Sequence, residues 1–185
     1  MPRHQTILKP DATGLLIIDI QEKINAVMKY RERVIESTIK LVRGFQILQR
    51  PIFITEQYRK GLGPTEAAIL QALGLPAIVE KMSFSCCGAP SLMEQIRRQS
   101  VQQLVLCGIE THVCVLQTAL DLMAEGFQVH LAADAVSSRK EMDQLLAIER
   151  MRQAGIIITS VEMALFELLG QAGTPEFKQI SQVIK

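Results

Sequence analysis

Short, nearly continuous apolar runs recur along the chain, and longer stretches between them carry apolar residues at a helical spacing. The runs are rich in Leu, Ile and Val. Runs of this kind are typical of strands that are covered by helices on both faces. We therefore predict strands at 14–20, 52–55, 77–81, 102–108, 127–134 and 156–159.

Helical patterns fill the intervals between these strands. From Ile24 to Leu48, apolar residues recur at spacings of three, four and seven, and Pro51 stops the pattern. Gly126 and Gly155 stand where two later patterns end, as expected of helix C-caps. The other predicted helices span 64–73, 90–99, 111–125, 139–154, 160–169 and 175–183.

The alternation of strand and helix predicts the fold class. Repeated βαβ units place their strands in parallel, with helices on both faces of one sheet. We predict a three-layer α/β/α, Rossmann-like fold with a mostly parallel, about six-stranded sheet. A chain of 185 residues suits a single domain spanning 1–185. Ligands of such folds bind beyond the carboxyl ends of the strands, near the switch in strand order.

Composition narrows the expected partners. Aromatic residues make up only 4%, and the net charge is +1 with no basic run, so neither nucleic acid nor an anionic membrane surface is expected. The first residues, MPRHQTILKPDATG, lack the apolar core of a signal peptide, and no apolar run is long enough to cross a bilayer. The four cysteines form no CxxC motif. These features predict a reduced, cytoplasmic protein without a zinc site.

Polar side chains stand at the ends of several predicted strands. Asp19 ends the first apolar run, where a buried carboxylate needs hydrogen bonds or a cation; a structural role is the alternative. Lys81 ends the third run and is an ordinary surface lysine unless its loop turns back towards Asp19. Glu56, Gln57 and residues 134–138 follow two other strands.

A cysteine stands about one turn into the helix that follows the fourth run, in the segment GIETHVCVLQTAL. If Thr111 is the N-cap, Cys114 is at N3, where the helix dipole and free N–H groups favour a thiolate. Gly108 at the preceding turn lets the backbone approach a ligand closely, and nearby N–H groups suit an oxyanion. The alternative is that Cys114 is a small apolar core residue.

Three segments carry a family resemblance. LLIIDIQ, KMSFS and GIETHVCV resemble the signature segments of the isochorismatase-like cysteine hydrolase superfamily, and TEQYRKGLGPT resembles a subgroup with no settled substrate. The similarity runs from about Thr13 to about Leu169. It implies a catalytic triad at Asp19, Lys81 and Cys114. In that triad the carboxylate takes and returns the thiol proton, the lysine stabilises the carboxylate, and the sulfur forms a thioester.

The resemblance implies further features of the site. A cis peptide is expected at Ile109–Glu110, with the oxyanion held near Glu110 and the Cys114 N–H. The resemblance also implies a set of substrate-binding residues: Gln21, Gln57, Phe84, Thr111 and His112. Nicotinamidases of the superfamily carry an Asp-x-His metal motif after the second strand, where this chain has TEQY, so no metal and no cofactor are expected.

The leading hypothesis is a metal-independent, cysteine-dependent hydrolase that cleaves the C–N bond of a small-molecule amide. One alternative is vinyl-ether hydrolysis of the isochorismatase type, although isochorismatases can lack the cysteine that this chain retains. Another is a non-catalytic binding module, because the predicted helix at 111–125 is apolar on more than one side. The resemblance also implies a homo-oligomer, a dimer or larger. A redox role for the SCCG segment is a further alternative.

Overall fold

The computed structural model describes residues 3–74 and 76–185, so Met1, Pro2 and Leu75 of the predicted domain lie outside the description. Its centre is a six-stranded sheet in the order β3-β2-β1-β4-β5-β6, and every neighbouring pair is parallel. The strands are β1 Thr13–Ile18, β2 Ile52–Gln57, β3 Ile78–Lys81, β4 Gln103–Ile109, β5 Gln128–Ser137 and β6 Ile157–Thr159. The predicted fold class is confirmed.

Helices cover both faces of the sheet. They are α1 Glu22–Asn25, α2 Arg31–Ile47, α3 Arg59–Leu62, α4 Ala67–Leu73, α5 Pro90–Arg98, α6 Leu116–Ala124, α7 Glu141–Gln153, α8 Val161–Leu169 and α9 Pro175–Ile184. Within the described ranges, no helix has the length and apolar character needed to cross a membrane.

The two faces of the sheet bury separate apolar clusters. Leu16 and Ile18 of β1 pack in the cluster that includes α5, α6 and α7, whereas Leu15 and Ile17 pack in the cluster of α2, α4, α8 and α9. Successive side chains of a strand point to opposite faces, so a six-residue apolar strand supplies both cores. This double burial explains why the strands are visible in the sequence as unbroken apolar runs.

The switch in strand order lies between β1 and β4. The chain adds β2 and β3 on one side of β1, and then returns to add β4, β5 and β6 on the other side. Ile18 pairs with Gly108 at the carboxyl ends of the two central strands. Residues that follow these two strands therefore meet at the crevice where ligands of such folds bind.

The long helix predicted from Ile24 to Leu48 is wrong as a single element. Two helices, α1 and α2, occupy this stretch, and the chain between them turns across the carboxyl end of β5. There the Lys29 N–H donates to the Ser138 carbonyl oxygen at 3.2 Å, and the Tyr30 N–H donates to Ser137 Oγ at 3.1 Å. These contacts replace intrahelical bonds, and the apolar spacing continues through the break because both segments bury one side.

We expect Gly108→Ala to destabilise the protein by roughly 3 kcal/mol or more. Gly108 has φ +131°, and a Cβ atom there would lie 2.1 Å from the Ile18 carbonyl oxygen of the paired strand. Both the backbone conformation and the neighbouring backbone would have to change. Chemical denaturation of the variant and the wild type measures the loss of unfolding free energy.

Gly126→Ala is the matched control for this prediction. Gly126 also has positive φ, +89°, but its Cβ would meet nothing within 4 Å. Only the conformational strain is then added, which costs about 1 kcal/mol. Equal losses in the two variants would show that close packing against β1 contributes nothing at Gly108.

A second expected effect is a loss of stability in acid that depends on His130. This side chain is fully buried in β5, and its only hydrogen-bond contact within the described chain is Gln128 Oε1, at 3.3 Å from Nε2. Burial lowers the pKa of His130 to about 4 from 6.5. The unfolded chain therefore binds more protons between these values, and stability falls as the pH drops through that window.

His130→Leu removes this dependence. Between pH 6.5 and about 4, the wild type is expected to lose up to about 3 kcal/mol that the variant retains. Denaturant titrations at several pH values compare the two slopes. Parallel slopes for both proteins would contradict the account, because they would show that His130 does not titrate abnormally.

Candidate active site

The carboxylate of Asp19 lies at the centre of the crevice between β1 and β4. Asp19 follows β1 directly with a left-handed backbone, φ +53°, and is buried. Its Oδ1 accepts a hydrogen bond from Thr55 Oγ1 at 2.7 Å, and its Oδ2 accepts one from Lys81 Nζ at 2.6 Å. The carboxylate is thus held by one hydroxyl and one ammonium group.

Lys81 is buried, so the alternative that it is an ordinary surface lysine is wrong. It ends β3, its side chain is 1% exposed, and it reaches past the carboxyl end of β2 to Asp19. Nζ also lies 2.8 Å from Gln57 Oε1 and close to two carbonyl oxygens, 3.1 Å from that of Ser83 and 3.0 Å from that of Phe84. Four acceptors therefore surround the ammonium group and fix it against the carboxylate.

Cys114 stands on a π-helical turn, Thr111–Val115, that connects β4 to α6. The N-cap is Glu110, one residue before the position expected from the sequence. The cysteine is 7% exposed, and its thiol interacts with the Asp19 carboxylate closely enough to affect the pKa of both groups. The structure thus brings Asp19, Lys81 and Cys114 together.

The protonation states differ from the expected thiolate. Burial raises the pKa of the Cys114 thiol well above its ordinary value, and the adjacent Asp19 charge raises it further against the opposing effect of Lys81. Burial also raises the pKa of Asp19, although Lys81 and Thr55 oppose this. For Lys81, burial lowers the pKa, but the combined effects of Asp19, Cys86 and Cys114 exceed it, so the net pKa is raised. The resting sulfur is therefore a thiol beside a carboxylate that is more basic than usual.

A small cavity of about 100 Å³ opens onto this thiol. Its walls come from four stretches of the chain, within 19–24, 57–62, 84 and 109–114, and consist of Asp19, Ile24, Gln57, Leu62, Phe84, Ile109, Glu110, Val113 and Cys114. The expected contributions of Gln57 and Phe84 agree with this lining. Ile24, Leu62 and Val113 were missed, since they stand on short helical segments whose closure over the strand ends is not visible in the periodicity.

Three residues expected in the pocket do not line it. Gln21 is fully buried and ties two loops together, because its Nε2 donates to the carbonyl oxygens of Gln57 at 3.0 Å and Gly63 at 2.6 Å. Thr111 is fully buried, and its hydroxyl has no partner within the described ranges. His112 faces α7 instead, with Nδ1 2.9 Å from Ser138 Oγ.

The segment expected to hold an oxyanion, Ile109–Glu110, lies directly before the π-helical turn. The Ile109–Glu110 peptide bond is cis. The Glu110 carboxylate turns away from the thiol, and its Oε2 accepts hydrogen bonds from the backbone N–H and the Nε of Arg139, both at 3.1 Å. Arg139 thus pairs with the Glu110 carboxylate, and Ile109 and Glu110 both line the cavity.

A second thiol near the site belongs to the SCCG segment, whose role the sequence left open. Cys86 is fully buried, its Sγ lies 3.6 Å from Thr55 Oγ1, and its N–H donates to Thr118 Oγ1 at 2.9 Å. Burial raises the pKa of Cys86 to about 12. This cysteine therefore supports the Thr55 hydroxyl that holds Asp19 and is not itself an available nucleophile. Its neighbour Cys87 lines a separate surface hollow.

In the part of the chain that the structure describes, no three His, Cys, Asp or Glu side chains are grouped so as to hold a metal ion. The expectation of a metal-free site remains a prediction. Of the histidines, His112 contacts Ser138, and His130 lies within β5 beside Gln128.

Comparison with known proteins identifies the family. The isochorismatase domain profile matches residues 13–163. Isochorismatase domain-containing protein 2A of Mus musculus is 38% identical over 179 residues, which cover 95% of this chain and 84% of that protein. The secreted isochorismatase effector Isc1 of Phytophthora sojae is 41% identical over 183 residues, covering 96% and 87%.

Solved structures agree with this assignment. A structure described as the MAR1 ribonuclease from Caenorhabditis elegans superposes with a TM-score of 0.91 at 38% identity, covering 96% of this chain and 92% of that one. The signature segments quoted from the sequence lie inside the matched range. The chain therefore belongs to the isochorismatase family.

Proposed function

We propose that the protein is a cysteine-dependent hydrolase that cleaves the C–N bond of a small-molecule amide through a thioester at Cys114. One observation carries the proposal: a thiol and a basic carboxylate line the same cavity, and a buried ammonium group fixes that carboxylate. This is the arrangement that nucleophilic acyl transfer requires, with a nucleophile, its base and a third group that orients the base.

In the first half of the reaction, Asp19 takes the proton from the Cys114 thiol as the sulfur attacks the amide carbonyl carbon. The tetrahedral intermediate collapses when the C–N bond breaks, and the protonated Asp19 gives its proton to the departing nitrogen. A thioester remains on Cys114. The raised pKa values favour this order, because the proton moves only when a carbonyl group is in place to accept the electron pair of sulfur.

In the second half, the Asp19 carboxylate removes a proton from water, and the resulting hydroxide attacks the thioester carbonyl. The C–S bond breaks, a carboxylic acid leaves, and Asp19 returns its proton to the sulfur. Lys81 keeps its charge throughout and holds the carboxylate in place. We assign the oxyanion to backbone N–H groups at the turn that begins after Glu110, since the first N–H groups of a helix lack intrahelical acceptors.

The charges around the cavity disfavour two other reactions, the hydrolysis of isochorismate and the cleavage of RNA. Isochorismate carries carboxylate groups, and the described lining of the cavity contains two carboxylates but no Lys, Arg or His. The Caenorhabditis elegans relative is described as a ribonuclease, and a phosphodiester is also anionic. Both substrates would place negative charge beside Asp19, which argues for a neutral amide.

The expected homo-oligomer and cytoplasmic location stay predictions.

The test is a screen for ammonia release from a panel of small primary amides, with isochorismate and a short RNA as competing substrates. The proposal predicts turnover of at least one amide and none of the two anionic substrates. Cys87→Ala serves as the thiol control, because Cys87 is half-buried outside the cavity. Hydrolysis of isochorismate or RNA without any amide turnover would overturn the proposal.

A further inference from the structure

The walls of the cavity around Cys114 are mainly apolar. Ile24 comes from α1, Leu62 from α3, Val113 from the π-helical turn, and Phe84 from the segment after β3. Phe84 is 55% exposed, so it forms the rim, whereas the other three are partly buried. A group that enters beyond the carbonyl of a substrate therefore meets hydrocarbon on several sides.

The polar groups of the wall are already bonded within the protein. Asp19 is held by Lys81 and Thr55, and the Glu110 carboxylate is held by Arg139. The Gln57 side chain accepts from Lys81 at 2.8 Å, and its Nε2 donates to the Met82 carbonyl oxygen at 2.8 Å. These groups thus have partners before any substrate arrives, and specific recognition of a polar substrate tail is disfavoured.

No unpaired cation faces the cavity within the described chain. Its two carboxylates, Asp19 and Glu110, are paired with Lys81 and Arg139, and none of the described lining residues is a lysine, arginine or histidine. Lys81, the nearest buried cation, lies behind Asp19 and is surrounded by four acceptors. A carboxylate on a substrate would lose its hydration on entering the cavity without gaining a cation, which is strongly unfavourable.

The volume limits the length of the acyl group. A cavity of about 100 Å³ has room for only a short substituent on the carbonyl carbon. Long chains and fused rings would have to extend past Phe84 into solvent.

Resting on the proposed amide hydrolysis, we propose that the substrates are uncharged, short aliphatic carboxamides, and that Ile24 and Leu62 set this preference. In this arrangement the carbonyl carbon of the substrate lies against Cys114 and the leaving nitrogen faces Asp19. The aliphatic group fills the space beside Ile24 and Leu62. The bonds that form and break are those of the acyl transfer described above, with ammonia and a short carboxylic acid as products.

Isovaleramide and malonamate test this preference, because an isopropyl group and a carboxylate have nearly the same shape but differ in charge. We expect kcat/KM for isovaleramide to exceed that for malonamate by about 100-fold or more. Ile24→Arg places a cation in the wall and should reduce this ratio by about tenfold or more. Val27→Arg is the matched control, since Val27 is 56% exposed on the next turn and lies outside the cavity. Its ratio should stay at the wild-type value.

The outcomes separate the two proposals. Hydrolysis of malonamate at a rate equal to that of isovaleramide, or an unchanged ratio in Ile24→Arg, would overturn the substrate class but leave amide hydrolysis standing. Absence of ammonia release from every amide, charged or neutral, would overturn amide hydrolysis itself and the substrate class with it. Leu62→Arg carries the same expectation as Ile24→Arg on an independent segment and replaces it if that variant does not fold.

Discussion

Replacing Cys114 with alanine is expected to reduce amide turnover by roughly 10⁴-fold or more while the fold remains intact. The variant removes the only sulfur that lines the cavity in the described chain, and with it the atom that forms the thioester. The loss of one small buried side chain costs stability only modestly. Initial rates with the best amide of the panel, together with a thermal melt, measure both effects.

Cys114→Ser and Cys87→Ala complete this experiment. The serine variant keeps the shape of the side chain but supplies a weaker nucleophile, so its activity should stay close to that of the alanine variant. Cys87→Ala removes a half-buried thiol from another part of the surface and should retain wild-type turnover. Undiminished hydrolysis by Cys114→Ala would end the cysteine mechanism.

The second large effect is expected from Lys81→Met, which should lower the unfolding free energy by roughly 3–5 kcal/mol at neutral pH. The substitution leaves the buried Asp19 carboxylate without its cation, so the carboxyl group either remains charged at high cost or takes up a proton. A protonated Asp19 cannot serve as base, and turnover should also fall by roughly 10²-fold or more. Denaturation and initial rates are measured on the same preparation.

The pH dependence of Lys81→Met follows from the same reasoning. Without the ammonium group, the pKa of Asp19 rises further above its unfolded value of 3.8. The group then contributes stability that is present below the unfolded pKa and is lost as the pH rises through the folded one. The stability deficit of the variant should therefore shrink at acidic pH, and a deficit that is constant with pH would contradict the buried-charge explanation.

Asp19→Asn and the double variant provide the matched controls. In Asp19→Asn, Lys81 retains three neutral oxygen acceptors, from Gln57, Ser83 and Phe84, so the stability loss should be smaller than that of Lys81→Met. The double variant should lose less than the sum of the two single losses, because no unpaired charge remains. Additive losses would show that the two groups are not coupled.

Much of the fold was predictable because β1 and its neighbours are buried on both faces. An unbroken run such as LLII can satisfy two cores only as a strand, and each of the six runs became one. Topology placed Asp19 and the segment that carries Cys114 after the two strands that flank the switch in order, and the family resemblance grouped them with Lys81 as a proposed triad. Lys81 was harder to place, because its side chain had to reach past the end of β2 to contact Asp19.

The parts that were wrong depend on contacts between distant segments. The break between α1 and α2 is made by hydrogen bonds from Lys29 and Tyr30 to the end of β5, and no local signal marks it. The cavity walls at Ile24 and Leu62 depend on how the loop after β2 folds back. Gln21 and Lys23 fix that loop through the carbonyl oxygens of Gly63 and Gly61, 2.6 Å and 3.1 Å away.

The prediction of a thiolate at Cys114 was wrong because burial changes the pKa of the thiol more than the helix N-terminus does. A helix N-terminus stabilises a nearby anion by about 0.3–1 kcal/mol in most settings, which is less than one pKa unit. Burial of an ionisable group shifts its pKa by as much as 3–5 units. Burial therefore wins at Cys114, and the Asp19 charge acts in the same direction. The sequence shows where the helix begins but not how deeply its first turn is covered.

Mass spectrometry of the intact protein, quenched during turnover of an amide substrate, tests the mechanism most directly. The account predicts a population of the chain that is heavier by one acyl group, with the added mass on the peptide that contains Cys114. Hydroxylamine should remove that mass, and Cys114→Ala should never acquire it. Product formation at full rate with Cys114 unmodified throughout, or with the acyl group on Cys87, would contradict the account.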